Sequence, residues 1–210
     1  MVERIRWGIL STASIGVNCF IPGALKARNC EVVAIGSRDG DRAHEVAARF
    51  VIPRTYGSYD ALLADPDVDA IYNPLPNGLH ADWTLKAAQA GKAILVEKPS
   101  CRDAAEAAAL ANACATEGVV LMEAFMYRFH PQHERVRTLL AGGAIGELCG
   151  VQTAFSFHMQ PLDPGNVRLQ APLAGGALMD VGCYPVSGTR APRYPAGNAV
   201  ANMRVIDALY

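Results

Sequence analysis

The sequence predicts an α/β protein: a doubly wound parallel sheet followed by a shortened α+β second domain. Three observations carry this expectation. Short apolar runs at 5–10, 31–36, 68–72, 93–96 and 119–122 are bounded by turn residues, as buried strands are. Helical patterns fall between these runs, so strand and helix alternate through residues 1–121. The run 93–96 leads straight into Glu97-Lys98-Pro99. Proline cannot extend a central strand, so Lys98 is held at a strand's carboxyl end, where open α/β sheets place their ligands. A strand-end salt bridge is the alternative role for Lys98.

The elements follow in order. After the first strand comes Ser11-Thr12-Ala13-Ser14-Ile15-Gly16, with the spacing G-x-G-x-x-G and Ser and Ala at the first two glycine positions. Small residues there let backbone N–H groups and a helix N-terminus approach a pyrophosphate, which marks a Rossmann-type sheet. An ordinary strand-to-helix turn is the alternative. A helix follows through Leu25. The second strand ends in Ser37-Arg38. A carboxylate at that strand end favours NAD, whereas a hydroxyl followed by a guanidinium suits the 2′-phosphate of NADP. Asp39 follows directly, and a solvated loop arginine is the alternative.

Residues 41–50 read as an amphipathic helix and 61–63 as a short one closed by Asp65-Pro66. The strand 68–72 ends in Asn73-Pro74-Leu75-Pro76-Asn77-Gly78-Leu79-His80, a stiff loop with amide donors near the expected nicotinamide position. His80 opens a helix that runs to Ala90 and stops at Gly91. Its imidazole either positions a ligand or packs against its own helix. Asp103-x-x-Glu106 resembles a capping box for the alanine-rich helix to Glu117, which Gly118 ends.

Composition narrows the class. The 210 residues carry a net charge of −1, which gives no reason to expect nucleic acid or a membrane surface. Six cysteines are scattered without a C-x-x-C, which favours reduced thiols in a cytoplasm. The apolar start at 7–25 contains Asn18 and a Pro22-Gly23 break and fits a strand, turn and helix better than a signal peptide. No run is long enough to span a bilayer. His130 and His133 are separated by Pro131 and lack a third ligand, so no metal is expected.

The second half, 122–210, is expected to form a separate substrate domain. Residues 127–140 read as a helix entering it. The stretch 148–158 reads as a strand with Val151, Thr153, Phe155 and Phe157 on one face. A Pro/Gly/Leu-rich loop fills 159–176. Residues 176–184 should be helical or turn-like and carry Asp180 and Tyr184 toward the first domain.

The chain resembles the Gfo/Idh/MocA oxidoreductases, most closely their glucose–fructose oxidoreductase, D-xylose dehydrogenase and dihydrodiol dehydrogenase branch. The resemblance rests on Trp7-Gly8-Ile9-Leu10-Ser11-Thr12-Ala13, the segment from Asn73 to His80, Glu97-Lys98-Pro99 and Met122-Glu123-Ala124-Phe125-Met126-Tyr127-Arg128. Gly175-Gly176-Ala177-Leu178-Met179-Asp180-Val181-Gly182-Cys183-Tyr184-Pro185 completes it. It implies NAD(P)-dependent hydride transfer at a sugar or cyclic-diol carbon, with Ser37-Arg38 favouring NADP over NAD, and a homo-oligomer in the family that is not expected to carry over to this shortened chain.

Lys98, Asp180 and Tyr184 correspond to the family's reacting residues. Around the cofactor the resemblance and the turn chemistry together place Ser11, Thr12, Ala13, Ile15, Gly16, Ser37, Arg38, Asn73, Pro74, Leu75, Asn77, His80, Glu97, Lys98, Tyr127 and Arg128. A free tyrosine ionises near pH 10, and a nearby ammonium favours phenolate, so Lys98 is expected to lower Tyr184. Asp180 would orient Lys98 or a substrate hydroxyl. A packed aromatic after the Gly182 turn is the alternative role for Tyr184.

After Ser187 the resemblance breaks. Family members usually continue through a large, mostly antiparallel sheet, whereas here 195–210 resembles the closing helix, as an internal deletion, a misjoined gene model or a decayed copy would produce. Without that sheet, 148–158 is expected to present an unpaired edge and an apolar face, an aggregation hazard. A nucleotide-binding chain without turnover is therefore the competing function.

Overall fold

The computed structural model describes residues 4–189. Among them, six strands form one sheet: β1 (Ile5–Leu10), β2 (Cys30–Gly36), β3 (Arg54–Tyr56), β4 (Ala70–Asn73), β5 (Ala93–Val96) and β6 (Leu121–Glu123). All pairings are parallel and the order is β3-β2-β1-β4-β5-β6. The order reverses between β1 and β4, and such a reversal opens a crevice at the strands' carboxyl ends. The last strand, β6, ends at Glu123.

Helices cover both faces. A π-helical turn at Gly16–Phe20 runs into α1 (Ile21–Ala24), which joins α2 (Gly40–Phe50) on one face. Ile21, Ala43 and Ala47 pack there against Ile9, Val32, Ile35 and Tyr72. On the other face, α3 (Tyr59–Leu63), α4 (His80–Gln89) and α5 (Ala104–Thr116) bring Leu62, Ala87 and Leu110 against Leu10, Ile71, Ile94 and Val96. Each fully buried Ile or Leu contributes roughly 1.5–3 kcal/mol of apolar burial, and this two-sided core accounts for the near-continuous apolar runs.

Local chemistry sets the helix ends. Asp39 caps α2 by accepting from Arg42 N at 3.2 Å, and Ser58 caps α3 from Ala61 N at 3.1 Å. Asp103 caps α5 from Glu106 N at 2.7 Å. The return arm of the expected box is displaced by one residue, since the Glu106 carboxylate accepts from Arg102 N at 2.6 Å. Gly91 and Gly118, at φ +71° and +67°, stop α4 and α5 in the left-handed region.

Two expectations are corrected and one strand is added. The strand β3 was not anticipated. The helix expected at 127–140 is instead a 3₁₀ turn at Met126–Phe129 followed by α6 (Pro131–Ala141). Proline restricts its predecessor to extended backbone. His130 sits at φ −77°, ψ 131° and caps α6, its Nδ1 accepting from Gln132 N. The strand expected at 148–158 has no regular structure, and among the described residues it pairs with no strand. Alternation gives a face but not a ladder, and a strand exists only against a neighbour. Phe155 and Phe157 stay 48% and 51% exposed. Beyond it, α7 (Cys183–Gly188) follows a π-helical turn at Leu178–Gly182. The closing helix expected at 195–210 lies outside the described residues. Among the described residues no helix is long and apolar enough to cross a membrane.

Candidate active site

A cleft of about 920 Å³ opens at the carboxyl ends of β1, β4, β5 and β6. Ala13, Ser14 and Ile15 from the turn after β1 line one side, and Pro74 to Asn77 after β4 line another. Glu97 and Lys98 rise from the end of β5, while Arg168, Asp180 and Tyr184 close the cleft from the second half.

The turn after β1 is held by its own backbone and hydroxyl contacts. Ser11 takes φ +80°, the left-handed conformation for which glycine is the default. Its N–H donates to Gly36 O at 2.7 Å, and its Oγ accepts from Ala13 N at 3.2 Å. Thr12 lies between them. Gly16 is buried, and a Cβ there would stand 3.5 Å from Tyr72 and 3.6 Å from Pro74, so the helix start packs close to the strand end. Ser37 is buried, with its Oγ accepting from Asp39 N at 3.1 Å. Arg38 lies exposed beside the Tyr59 hydroxyl, outside the lining of the cleft. The neighbouring acid, Asp39, is engaged as the cap of α2.

The loop after β4 is braced from within. Asn73 is fully buried; its amide donates to His80 O at 3.0 Å and Thr84 Oγ1 at 3.1 Å, and its Oδ1 accepts from Leu75 N at 3.3 Å. These bonds turn the expected amide donor inward. His80 is equally buried, its Nδ1 2.7 Å from Pro99 O and its Nε2 2.6 Å from Leu75 O. Burial pushes its pKa down. It ties the β4 loop to the Lys98-Pro99 corner. Asn77 donates to Ala174 O at 2.9 Å, joining this loop to the second half.

The inner wall of the cleft is built around Lys98. Glu97 accepts from the Tyr72 hydroxyl at 2.7 Å, and burial raises its carboxyl above the usual range. Lys98 Nζ donates to the backbone carbonyl of Asp180 at 2.5 Å, lies 3.7 Å from Asp180 Oδ1, and sits over the Tyr184 ring, 4.9 Å from its centre. The Tyr184 hydroxyl donates to Met126 Sδ at 3.4 Å. Its pKa is pushed up rather than down, first by burial and then by the Glu97 carboxylate. The expected lowering by Lys98 is not found, because the ammonium faces the ring instead of the hydroxyl. Tyr127 and Arg128 lie outside the cleft lining. Their polar ends meet on Ser187 Oγ, at 2.7 and 2.6 Å, and fasten α7. Sequence reasoning missed Arg168, which donates from Nε to Asp180 Oδ2 at 2.8 Å. It is a lone arginine in a Pro/Gly/Leu-rich loop, and no spacing marks it.

Strand order and crevice place the chain among the dinucleotide-binding α/β proteins. The model of an oxidoreductase family with an NAD-binding Rossmann fold, Gfo/Idh/MocA, matches residues 5–125, and the model of that family's C-terminal domain matches 133–191. The chain belongs to the Gfo/Idh/MocA family.

Among its relatives, D-xylose 1-dehydrogenase (NADP(+)) 2 of Haloferax volcanii is 52% identical over 184 residues, covering 88% of this chain and 56% of that protein. A trans-1,2-dihydrobenzene-1,2-diol dehydrogenase of Xenopus laevis is 39% identical, covering 86% of this chain and 54% of that protein. The crystal structure of KijD10, a 3-ketoreductase from Actinomadura kijaniata with NADP and TDP-benzene, superposes at a TM-score of 0.83 with 40% identity. That match covers 88% of this chain and 56% of KijD10. The chain thus spans about half the length of the curated relatives it matches.

Proposed function

We propose that this chain carries the cofactor-binding and reacting parts of an NADP-dependent oxidoreductase acting on a sugar or cyclic-diol hydroxyl or carbonyl carbon. One observation carries the reading: the Lys98 ammonium, at the carboxyl end of β5, is packed between Asp180 and the Tyr184 ring at the cleft wall. The relatives, an NADP-named xylose dehydrogenase, a dihydrodiol dehydrogenase and a ketoreductase crystallised with NADP, support it.

NADP bound along the turn after β1 supplies the redox couple. Ser11, Thr12, Ala13, Ile15 and Gly16 hold the pyrophosphate, and Ser37 and Arg38 hold the 2′-phosphate. The engagement of Asp39 as a helix cap supports the preference for that phosphate. Lys98 Nζ binds the substrate oxygen, Tyr184 holds or gives the proton at its hydroxyl, and Asp180 orients Lys98. Phe155 and Phe157 add apolar surface to the cleft wall. The six free cysteines fit a cytoplasmic setting.

The test has two stages. NADPH at one hundred times its dissociation constant should stabilise the fold by about 2.7 kcal/mol, with NADH at the same concentration well behind. Turnover on a panel of sugars and diols should then fall by roughly 10²–10⁴ in Lys98→Met or Tyr184→Phe. Equal shifts with both cofactors would remove the NADP preference. A shift without turnover on any substrate would favour a binding protein instead.

A further inference from the structure

We infer that Arg168 is a positioning residue for the reacting end of the cleft, acting through Asp180. The inference rests on the oxidoreductase reading and goes beyond it.

Three observations combine. The first is the path of the loop. Asn166 Oδ1 accepts from Arg168 N at 3.0 Å, and Gly176 N donates to Arg168 O at 2.8 Å. A Cβ at Gly175 would stand 2.7 Å from Arg168 O, so the loop closes directly on the arginine's backbone. The position of Arg168 is therefore set by tight local packing. The second is the division of Asp180 between two cations. Arg168 Nε holds Oδ2 at 2.8 Å, whereas Lys98 Nζ stands 3.7 Å from Oδ1, beyond hydrogen-bond reach. The short bond of Lys98 goes to the Asp180 backbone carbonyl, at 2.5 Å. The third is exposure: the carboxylate is 15% exposed and Arg168 48%, so the guanidinium reaches it from the open side of the cleft.

The consequence follows from charge. Arg168 draws the carboxylate off Lys98 and leaves ammonium protons for a substrate oxygen. Without Arg168, the nearest cation to the carboxylate is Lys98. The carboxylate then closes on Nζ, occupies the proton meant for substrate, and stands uncompensated by Arg168 among the groups that face Tyr184, namely Glu97, Cys183, Asp180 and Tyr127, with Lys98 over the ring. Proton removal becomes harder, so the rising limb of an oxidation pH profile moves to higher pH.

The experiment uses the full chain and the Arg168→Met and Arg168→Lys variants. The NADPH-induced thermal shift should be the same in all three, which establishes an intact fold and cofactor site. In crystals of Arg168→Met with NADP⁺, the Asp180 carboxylate should be directly hydrogen-bonded to Lys98 Nζ. In turnover, Arg168→Met should lose about ten- to a hundredfold in kcat, as a misplaced reacting group does. KM should change little and the limb should move to higher pH, while Arg168→Lys recovers part of both.

A carboxylate that keeps its place in the Arg168→Met crystals, or a kcat and limb unchanged by the substitution, overturns the inference. A wild-type chain without turnover overturns the oxidoreductase reading alone, because the crystallographic position of Asp180 still decides the role of Arg168.

Discussion

Ser11 sits where backbone geometry favours glycine. At φ +80° it carries a side chain in the left-handed region, and its Oγ takes up the N–H of Ala13, one of the donors a pyrophosphate would meet. Replacing Ser11 with Gly relieves the strain and frees that donor. The expected outcome is a melting temperature equal to or above wild type, with NADPH bound roughly threefold to tenfold tighter, the net worth of one hydrogen bond. Titration of NADPH fluorescence checks it, and weaker binding would count against the pyrophosphate assignment. Tyr184 gives a second expectation at this scale. With its pKa raised by burial and by Glu97, the phenol keeps its proton at neutral pH. Carbonyl reduction, which needs that proton, should hold steady through neutrality and decline only at alkaline pH. Alcohol oxidation, which needs the proton gone, should rise with pH. Initial rates in both directions between pH 6 and about 10 compare the two. An oxidation rate that is flat across this range would mean Tyr184 is not the proton carrier.

Among the elements, β1 shows how closely the sheet and its helices fit. A Cβ at Gly8 would lie 2.8 Å from Leu62 Cδ2, 3.0 Å from Val68 Cγ1 and 3.2 Å from Ile71 Cδ1. Gly8→Ala should cost about 1–3 kcal/mol by overpacking, read as a lower urea midpoint with unchanged slope. The apolar strands β1, β2, β4 and β5 were legible because a sheet covered on both faces writes itself as runs of Ile, Val and Leu. The capped start of α5 was legible for an equally local reason, the spacing of Asp103 and Glu106. β3 was not: Arg54-Thr55-Tyr56 is short, half-buried and at the sheet edge, so it carries no apolar run. The stretch 148–158 misled in the other direction, since Val151, Thr153, Phe155 and Phe157 alternate as a strand does while a strand also requires a partner. At the candidate site, strand-end position pointed to Lys98, and the family resemblance pointed to Asp180 and Tyr184. The inward turn of Asn73 and the contact of Arg168 with Asp180 depend on tertiary folding that no local pattern encodes.

Over the whole molecule, charge gathers at the end of the sheet opposite the cleft. Arg6 pairs with Asp67 and Asp69, each at 2.8 Å, and Arg54 reaches Asp65 and Asp67 at 3.0 Å. Buried Lys92 donates to the carbonyls of Asp65 and Val68 at 2.7 and 2.6 Å. Burial works to raise the Asp65 carboxyl. The N–H of Asp67, the Tyr56 hydroxyl, Arg54 and Lys92 outweigh it and hold the carboxyl below its ordinary 3.8. A carboxyl with a depressed folded value stabilises fully above the unfolded value, and that stability is lost as pH falls through the folded one. The urea midpoint should therefore drop on acidification below about pH 4. Asp65→Ala should cost about 3 kcal/mol at neutral pH, because it strands buried partners, and should flatten the acid limb. An acid limb as steep as wild type would place the sensitivity elsewhere. The strand β1 is six residues long, so these charges stand about 20 Å from the cleft mouth, more than twice the screening length of physiological salt. A mutant library confined to the floor of the sheet would accordingly alter shelf life and salt tolerance. One confined to the mouth would alter what the protein recognises, and the two could be bred separately and then combined.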